Sequence, residues 1–228
     1  MRRKILFIIL FLAVSFKLLE AGEGTILWTK ILNWGMLPGE NRGVAVKLDS
    51  SGNIYVAGGD ENSLWLGKFD NSGNLIWQIK RDDISFWLSD GYLKMCDIDI
   101  DSSGNIYLTG FSYSNIWIGK YSAGSTNLVW SRTYNYPGAD YSKPHGICVK
   151  GTVLYIAGDI EKSVPNWDSD SLLLKYDTDG NFKWAKVNDT GSSWEDNGND
   201  VAVDNSGNVY LVGTMYDPMG GNTYDCKV

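Results

Sequence analysis

The sequence is short of cysteine, histidine and proline, with three, one and five residues respectively among 228. The cysteines Cys96, Cys148 and Cys226 are odd in number, which excludes complete pairing within the chain, and they share no metal-ligand spacing. We expect small buried hydrophobic residues at these positions, with a single disulfide as the alternative. The lone histidine, His145, is predicted to lie in a loop before a first strand and has no visible partner pattern and no Gly-x-Ser-x-Gly motif, so no serine hydrolase site is predicted.

Basic residues are outnumbered, since 20 Lys and Arg stand against 27 Asp and Glu and the net charge is −7. A chain this acidic is poorly suited to contact nucleic-acid phosphates, because that binding depends on Lys and Arg. The charge balance suits solubility, cations or uncharged ligands instead. We therefore expect no nucleic-acid partner.

Long apolar runs are also scarce, and the one that stands out is residues 5–16. Three basic residues precede it and the small residue Ala21 follows. A membrane-spanning helix needs about 20 apolar residues. The pattern therefore predicts a secretory signal peptide over residues 1–21, with an uncleaved anchor as the alternative. We expect an exported protein, located outside the cell, in the periplasm or at the cell surface, with no stable membrane span after cleavage.

What the chain has in abundance is aromatic residues and glycine, with 10 Trp, 13 Tyr and 26 Gly. Hydrophobic residues make up 43% of the sequence, which is typical of a globular protein. Aromatic residues favour strands and glycine favours tight turns. The composition therefore indicates short strands separated by turns.

One motif recurs along the chain, the turn Asp-x-Ser-Gly-Asn followed by Ile/Val-Tyr-Val/Leu-x-Gly. It occupies residues 49–58, 101–110 and 204–213, and a third copy in chain order retains 154–158. In the turn, Asp can accept hydrogen bonds from backbone amides and Gly can take the left-handed conformation. The tyrosines of the four copies are Tyr55, Tyr107, Tyr155 and Tyr210.

A second series has the same period of roughly 50 residues. It is a Lys-Tyr/Phe pair followed by a turn and a tryptophan, and its tryptophans are Trp28, Trp77, Trp130 and Trp184. Recurrence at one strand position predicts that these tryptophans pack between repeats.

Each repeat is predicted to form four antiparallel strands, and no helical periodicity is present after the N-terminal segment. The fold class is therefore all-β, a β-propeller over residues 25–228 with repeats at 43–80, 94–133, 145–187 and 199–228. The segment 26–31 matches a fourth strand and is predicted to complete the last blade and close the ring. The alternative is an open fragment of a larger propeller.

These turn and tryptophan motifs resemble the SBBP repeat family of bacterial β-propellers, and the resemblance covers residues 25–228. It implies an exported or surface propeller, often part of a larger protein, with no catalytic residues to carry over. The family is named for seven blades, whereas this sequence shows four repeats.

Metal binding has limited support in the sequence. The turns are too short for a dedicated calcium loop, and Asp177-Thr-Asp179-Gly comes nearest to one. Asp97 and Asp99 share one face of an inner strand, where they can face water or a cation in the central channel. We expect no cofactor, with calcium as the alternative.

The connections between repeats, and those between second and third strands, all emerge on one face of a propeller, which we call the long-loop face. Variable loops on a rigid scaffold commonly carry binding sites, and aromatic rings with carboxylates suit sugars or basic protein surfaces. Candidate ligand-binding residues are Trp34, Asp82, Asp83, Trp87, Tyr136, Tyr141, Trp167, Asp168, Trp194 and Glu195.

Three functions remain open from the residues alone. The first is a non-enzymatic module that binds a glycan or a protein through the long-loop face. The second is a purely structural part of a larger surface protein, in which these aromatic residues only cap the core. The third is an extracellular hydrolase or lyase using loop carboxylates.

Overall fold

The computed structural model describes residues 42–60, 63–84, 96–163, 168–189, 196–217 and 223–227. The predicted signal peptide at 1–21 and the predicted closing strand at 26–31 lie outside these residues. Within the described residues there are fifteen strands and no helix, so no helix there is long and apolar enough to cross a membrane.

The strands group into four antiparallel sheets, each following chain order. Blade 1 contains β1 (Arg42–Leu48), β2 (Ile54–Asp60), β3 (Ser63–Phe69) and β4 (Leu75–Arg81). Blade 2 contains β5 (Ile98–Ile100), β6 (Ile106–Ser112), β7 (Asn115–Tyr121) and β8 (Leu128–Tyr134). Blade 3 contains β9 (Tyr141–Lys150), β10 (Val153–Lys162), β11 (Asp168–Asp177) and β12 (Phe182–Asn188). Blade 4 contains β13 (Asn197–Val203), β14 (Val209–Asp217) and β15 (Thr223–Lys227).

The recurring turn forms as its sequence predicts. In the first copy, Asp49 Oδ1 accepts the backbone N–H of Ser51 at 3.0 Å and of Asn53 at 2.9 Å, and Oδ2 accepts the Asn53 side-chain amide at 2.7 Å. Gly52 has a φ of 80°, which is strained for residues with a Cβ. Asp70, Asp101, Asp177 and Asp204 make the same three bonds. These carboxylates are therefore used in closing their own turns.

The core lies between neighbouring blades. One cluster joins Tyr55 and Leu66 of blade 1 to Ile98 and Leu108 of blade 2, and further clusters join blades 2 and 3 and blades 3 and 4. Alternating strand residues supply these faces because side chains of a strand point to opposite sides of its sheet. Each blade is therefore stabilised by its neighbours, as expected for a repeat protein.

The tryptophan series packs between blades, as predicted. Trp130 of blade 2 donates its indole N–H to the carbonyl of Thr178 in blade 3 at 3.1 Å, and its ring lies against Gly180. The ring centroids of the tyrosine and tryptophan of a blade lie 5.9, 6.3 and 6.1 Å apart in blades 1, 2 and 3. Trp28 lies outside the described residues.

Among the described residues the four sheets do not close into a ring, and the segment 26–31 that was predicted to close it lies outside them. Val46 on blade 1 and Tyr210 on blade 4 are exposed, although the same positions of interior blades are buried. Leu48 on blade 1 is exposed, whereas Ile100 at the same position of blade 2 is half-buried. The arrangement agrees with the alternative of an open propeller.

The cysteines differ in their environments. Cys96 is buried between blades 1 and 2, and Cys148 is half-buried in β9. Neither Cys96 nor Cys148 forms the alternative disulfide. The side chain of Cys226 lies outside the described residues.

Candidate functional site

A cavity of about 430 Å³ lies where the first strands of the four blades meet. Its lining includes Asp97 and Asp99 of β5, together with residues of β1, β9 and β13. The sequence predicted these aspartates in a central channel, and that location is confirmed.

The two aspartates nevertheless form polar contacts with the neighbouring blades. Asp97 Oδ2 accepts the backbone N–H of Ile147 at 3.0 Å, and Asp99 Oδ2 accepts that of Val149 at 2.7 Å. Asp99 also pairs with Lys47 of blade 1, with 3.2 Å between Nζ and Oδ1. Sequence reasoning considered only water or a cation here and missed these bonds, because their partners lie 50 residues away along the chain.

On the long-loop face, Asp82 and Asp83 follow β4 and have local cationic partners. Arg81 binds Asp83 through two nitrogens at 2.7 and 2.5 Å, and Lys80 pairs with Asp82 at 2.8 Å. The Arg81 hydrogen bond holds the pKa of Asp83 below its usual range. Asp83 therefore orders the end of its strand, while the Asp82 carboxylate stays 76% exposed.

Tyr136 and Tyr141 lie in and after the connection from blade 2 to blade 3. Tyr136 packs against the core between those blades, and its backbone N–H donates to Ser142 Oγ at 2.9 Å. The ring centroid of Tyr141 lies 6.4 Å from that of the buried Phe111. Both tyrosines are half-buried and cap the core, which was the alternative interpretation of these aromatic residues.

The most unusual electrostatics on this face belong to Asp168, at the start of β11. Its Oδ1 is buried and has no hydrogen-bond partner among the described residues. Burial, followed by the nearby charges of Asp170 and Asp189, raises the pKa of Asp168. Asp170 is only 2% exposed and pairs with Lys162 at 2.8 Å between Nζ and Oδ2. Burial also raises the pKa of Asp170, against the opposing effect of Lys162.

Sequence reasoning found Asp168 but missed its surroundings. Lys162 ends β10, Asp189 follows β12 and Asp196 precedes β13, so folding gathers these groups from separate segments. We call Asp168, Asp170 and Lys162, with Asp189 and Asp196 beside them, the blade 3 carboxyl cluster. The predicted residues Trp34, Trp87, Trp167, Trp194 and Glu195 lie outside the described residues.

A buried polar network also holds this end of blade 3 together. His145 Nε2 bonds the carboxylate of Asp159, and both side chains are almost fully buried. Ser169 Oγ lies 3.3 Å from Asp159 Oδ2 and 3.1 Å from Asn197 Oδ1. The sequence placed His145 in a loop without a partner, whereas it lies within β9 and is paired. The network therefore joins β9, β10, β11 and β13.

Across the residues that the structure describes, no group of three or more His, Cys, Asp or Glu residues is arranged to hold a metal ion. The Asp177 turn, which was nearest to a calcium loop, instead has its carboxylate bound by amides of Asp179 and Asn181 and by Lys183.

No protein-family model matches the chain, and no curated protein matches it. Solved structures do match. An α-L-arabinanase of Penicillium chrysogenum, solved with arabinobiose, has a TM-score of 0.52 and 12% identity over 81% of this chain and 61% of its own. The extracellular domains 1–2 of Drosophila semaphorin 1a match with a TM-score of 0.49 and 8% identity, over 80% of this chain and 39% of theirs.

A third match is an α-L-arabinofuranosidase of Clostridium thermocellum, with a TM-score of 0.40 and 12% identity over 79% of this chain and 70% of its own. This chain spans 61% of the arabinanase and 39% of the semaphorin chain. At such identities a likeness bears on the fold alone. The arabinanase match supports a β-propeller fold for this chain.

Proposed function

We propose that this protein is an exported propeller module that binds a glycan through its long-loop face, at the blade 3 carboxyl cluster. The observation that carries the proposal is Asp168, whose Oδ1 is buried without a hydrogen-bond partner among the described residues. A buried oxygen left in this state costs about 1–3 kcal/mol, so a ligand that satisfies it gains that free energy.

The chemistry of the cluster suits sugar hydroxyls. A hydroxyl can donate to Asp168 and accept from the ammonium of Lys162, which already lies beside Asp170. Asp168, Asp170, Asp189 and Asp196 outnumber that lysine, which disfavours an anionic ligand. An uncharged glycan therefore fits the cluster better than a phosphate or a carboxylate.

Binding to a panel of plant and bacterial cell-wall glycans, including arabino-oligosaccharides, tests this proposal. For a glycan that binds, Asp168→Asn is expected to weaken affinity about 10–100-fold, since a bond to a charged acceptor is lost. Asp179→Asn is the matched control, because Asp179 is exposed in the turn between β11 and β12, on the opposite face. Equal affinities of both variants and the parent protein would place binding elsewhere, and absence of binding to every glycan would favour a structural module.

A second candidate is a glycoside hydrolase. It is favoured by the raised pKa of Asp168 beside a second carboxyl, Asp170, because glycosidases pair a protonated acid with an ionised carboxylate. Because an arabinanase is among the structural matches, arabinan is the substrate to test. Release of reducing sugar from arabinan, lost in Asp168→Asn and retained in Asp179→Asn, would support hydrolysis. Binding without release would support the lectin-like module.

A further inference from the structure

The first strand of blade 1 presents an apolar face that is more exposed than the equivalent faces of the other blades. Val46 is 54% exposed and its neighbour on that face, Leu48, is 61% exposed. The equivalents of Val46 in blades 2, 3 and 4 are Ile98, Ile147 and Val201, exposed by 0%, 3% and 6%. Each of those three packs against the blade before it. We call the face containing Val46 and Leu48 the head.

Blade 4 presents the opposite half of the same kind of contact. Tyr55, Tyr107 and Tyr155 are exposed by 1%, 0% and 6%, because the following blade covers each of them. Tyr210, at the same position of blade 4, is 46% exposed. Its hydroxyl still bonds Asp204 of its own turn at 3.2 Å, so the tyrosine is oriented like its equivalents. We call the face containing Tyr210 the tail.

A polar element of the contact is repeated as well. Asp97 precedes Ile98 and accepts the backbone N–H of Ile147 in the next blade. Asp200 stands at the position of Asp97 in blade 4 and is exposed. Its Oδ1 accepts the backbone N–H of its neighbour Val201 at 2.8 Å. Val46 stands at the position of Ile147 in blade 1. Asp200 of a tail is therefore placed to accept the N–H of Val46 of a head.

We propose that a second copy of this chain binds head to tail, so that Tyr210 of each copy covers Val46 and Leu48 of another. The contact continues an interface that the chain already forms three times between its own blades. Complementary faces on one molecule whose own sheets do not close generate head-to-tail association. Exposed apolar faces at the ends of a repeat array also need covering for solubility.

Light scattering of the secreted chain over a range of concentrations, combined with two variants, tests the proposal. Val46→Arg blocks the head, and Tyr210→Lys blocks the tail. Every contact needs one intact head and one intact tail, so each variant alone is expected to associate at least about 30-fold more weakly. An equimolar mixture is expected to regain dimers, because the intact tail of one variant meets the intact head of the other.

Val129→Arg is the matched control, since Val129 is 53% exposed on the outer strand β8 and is expected to leave association unchanged. Near-ultraviolet circular dichroism verifies that each variant keeps its fold. A parent chain that is monomeric at every concentration would overturn the proposal and favour closure of the ring within one chain. Dimers that persist in both single variants, or a mixture that stays monomeric, would overturn it too.

Discussion

Asp97 Oδ2 accepts the backbone N–H of Ile147 at 3.0 Å, from the first strand of blade 2 to the first strand of blade 3. Asp99 repeats the bond to Val149 two residues further along both strands. Apolar packing between blades has little directional preference, whereas these bonds require one relative position of the two strands. The pair of aspartates therefore sets how blade 3 stands against blade 2.

Loss of this bond is expected to destabilise the protein. Asp97→Ala leaves the buried N–H of Ile147 without its acceptor, which costs about 1–3 kcal/mol of the free energy of unfolding. Asp97→Asn retains an acceptor oxygen and should recover part of that loss. Urea denaturation measures both, with Asp82→Ala as the exposed control. Equal stability of Asp97→Ala and Asp82→Ala would contradict the role of Asp97.

The tryptophan contact between blades 2 and 3 is expected to behave similarly. Trp130→Phe keeps an aromatic ring beside Tyr107 but removes the indole donor to Thr178. The expected loss is about 0.5–1.5 kcal/mol from the hydrogen bond, with a further loss from reduced packing. Thermal unfolding measures the change in stability, and Trp130→Ala is expected to lose more stability than Trp130→Phe. A fully neutral Trp130→Phe would show that the bond contributes nothing.

The turn aspartates are expected to make stability fall in acid. For Asp101, burial acts to raise the pKa, but bonds from Asn105, Tyr107 and Ser103 outweigh it and hold the pKa below 3.8. A carboxyl with a lowered pKa in the folded state stabilises it above the unfolded pKa and loses that contribution as the pH falls. Stability should therefore drop below about pH 4. Asp101→Asn should be less stable at pH 7, with the difference narrowing in acid; a constant difference would contradict the expectation.

Asp168 is expected to have the opposite effect on the pH dependence of stability. Burial and neighbouring carboxylates raise its pKa, so its charged form opposes folding once the pH rises through that pKa. Asp168→Asn should therefore raise the melting temperature at pH 7 and lose this advantage near pH 3. A residue that destabilises the fold while serving a ligand is typical of binding sites. A lower melting temperature for Asp168→Asn at pH 7 would indicate a structural role instead.

Much of the local structure could be predicted from the sequence. The Asp-x-Ser-Gly-Asn turns form as expected, because their bonds join residues at most four apart, as between Asp49 and Asn53. The strands of blade 1 follow from alternation of apolar residues, and β4 ends at Arg81, where the first repeat was predicted to end at residue 80. Local chemistry also indicated that the recurring tryptophans pack between blades.

The candidate site could be predicted only in part. Variable loops indicated the long-loop face and Asp168 as candidates, but the position of Lys162, Asp189 and Asp196 beside Asp168 depends on the ends of three other strands. The partner of His145 was not evident from the sequence, because Asp159 is brought to it only by the pairing of β9 with β10. The packing of Tyr136 and Tyr141 against the core was also not evident from their sequence positions.

By itself the sequence determined the repeat, the strands and the turns, because each depends on contacts between residues close in the chain. The tertiary structure decided which aspartates join neighbouring blades and which carboxylates lie close to Asp168. It also decided which apolar faces remain exposed. Asp97 and Ile147 are 50 residues apart, and Val46 is more exposed than Ile147 although the two occupy equivalent strand positions. Such differences arise from the position of a repeat in the assembled array, which identical local motifs cannot encode.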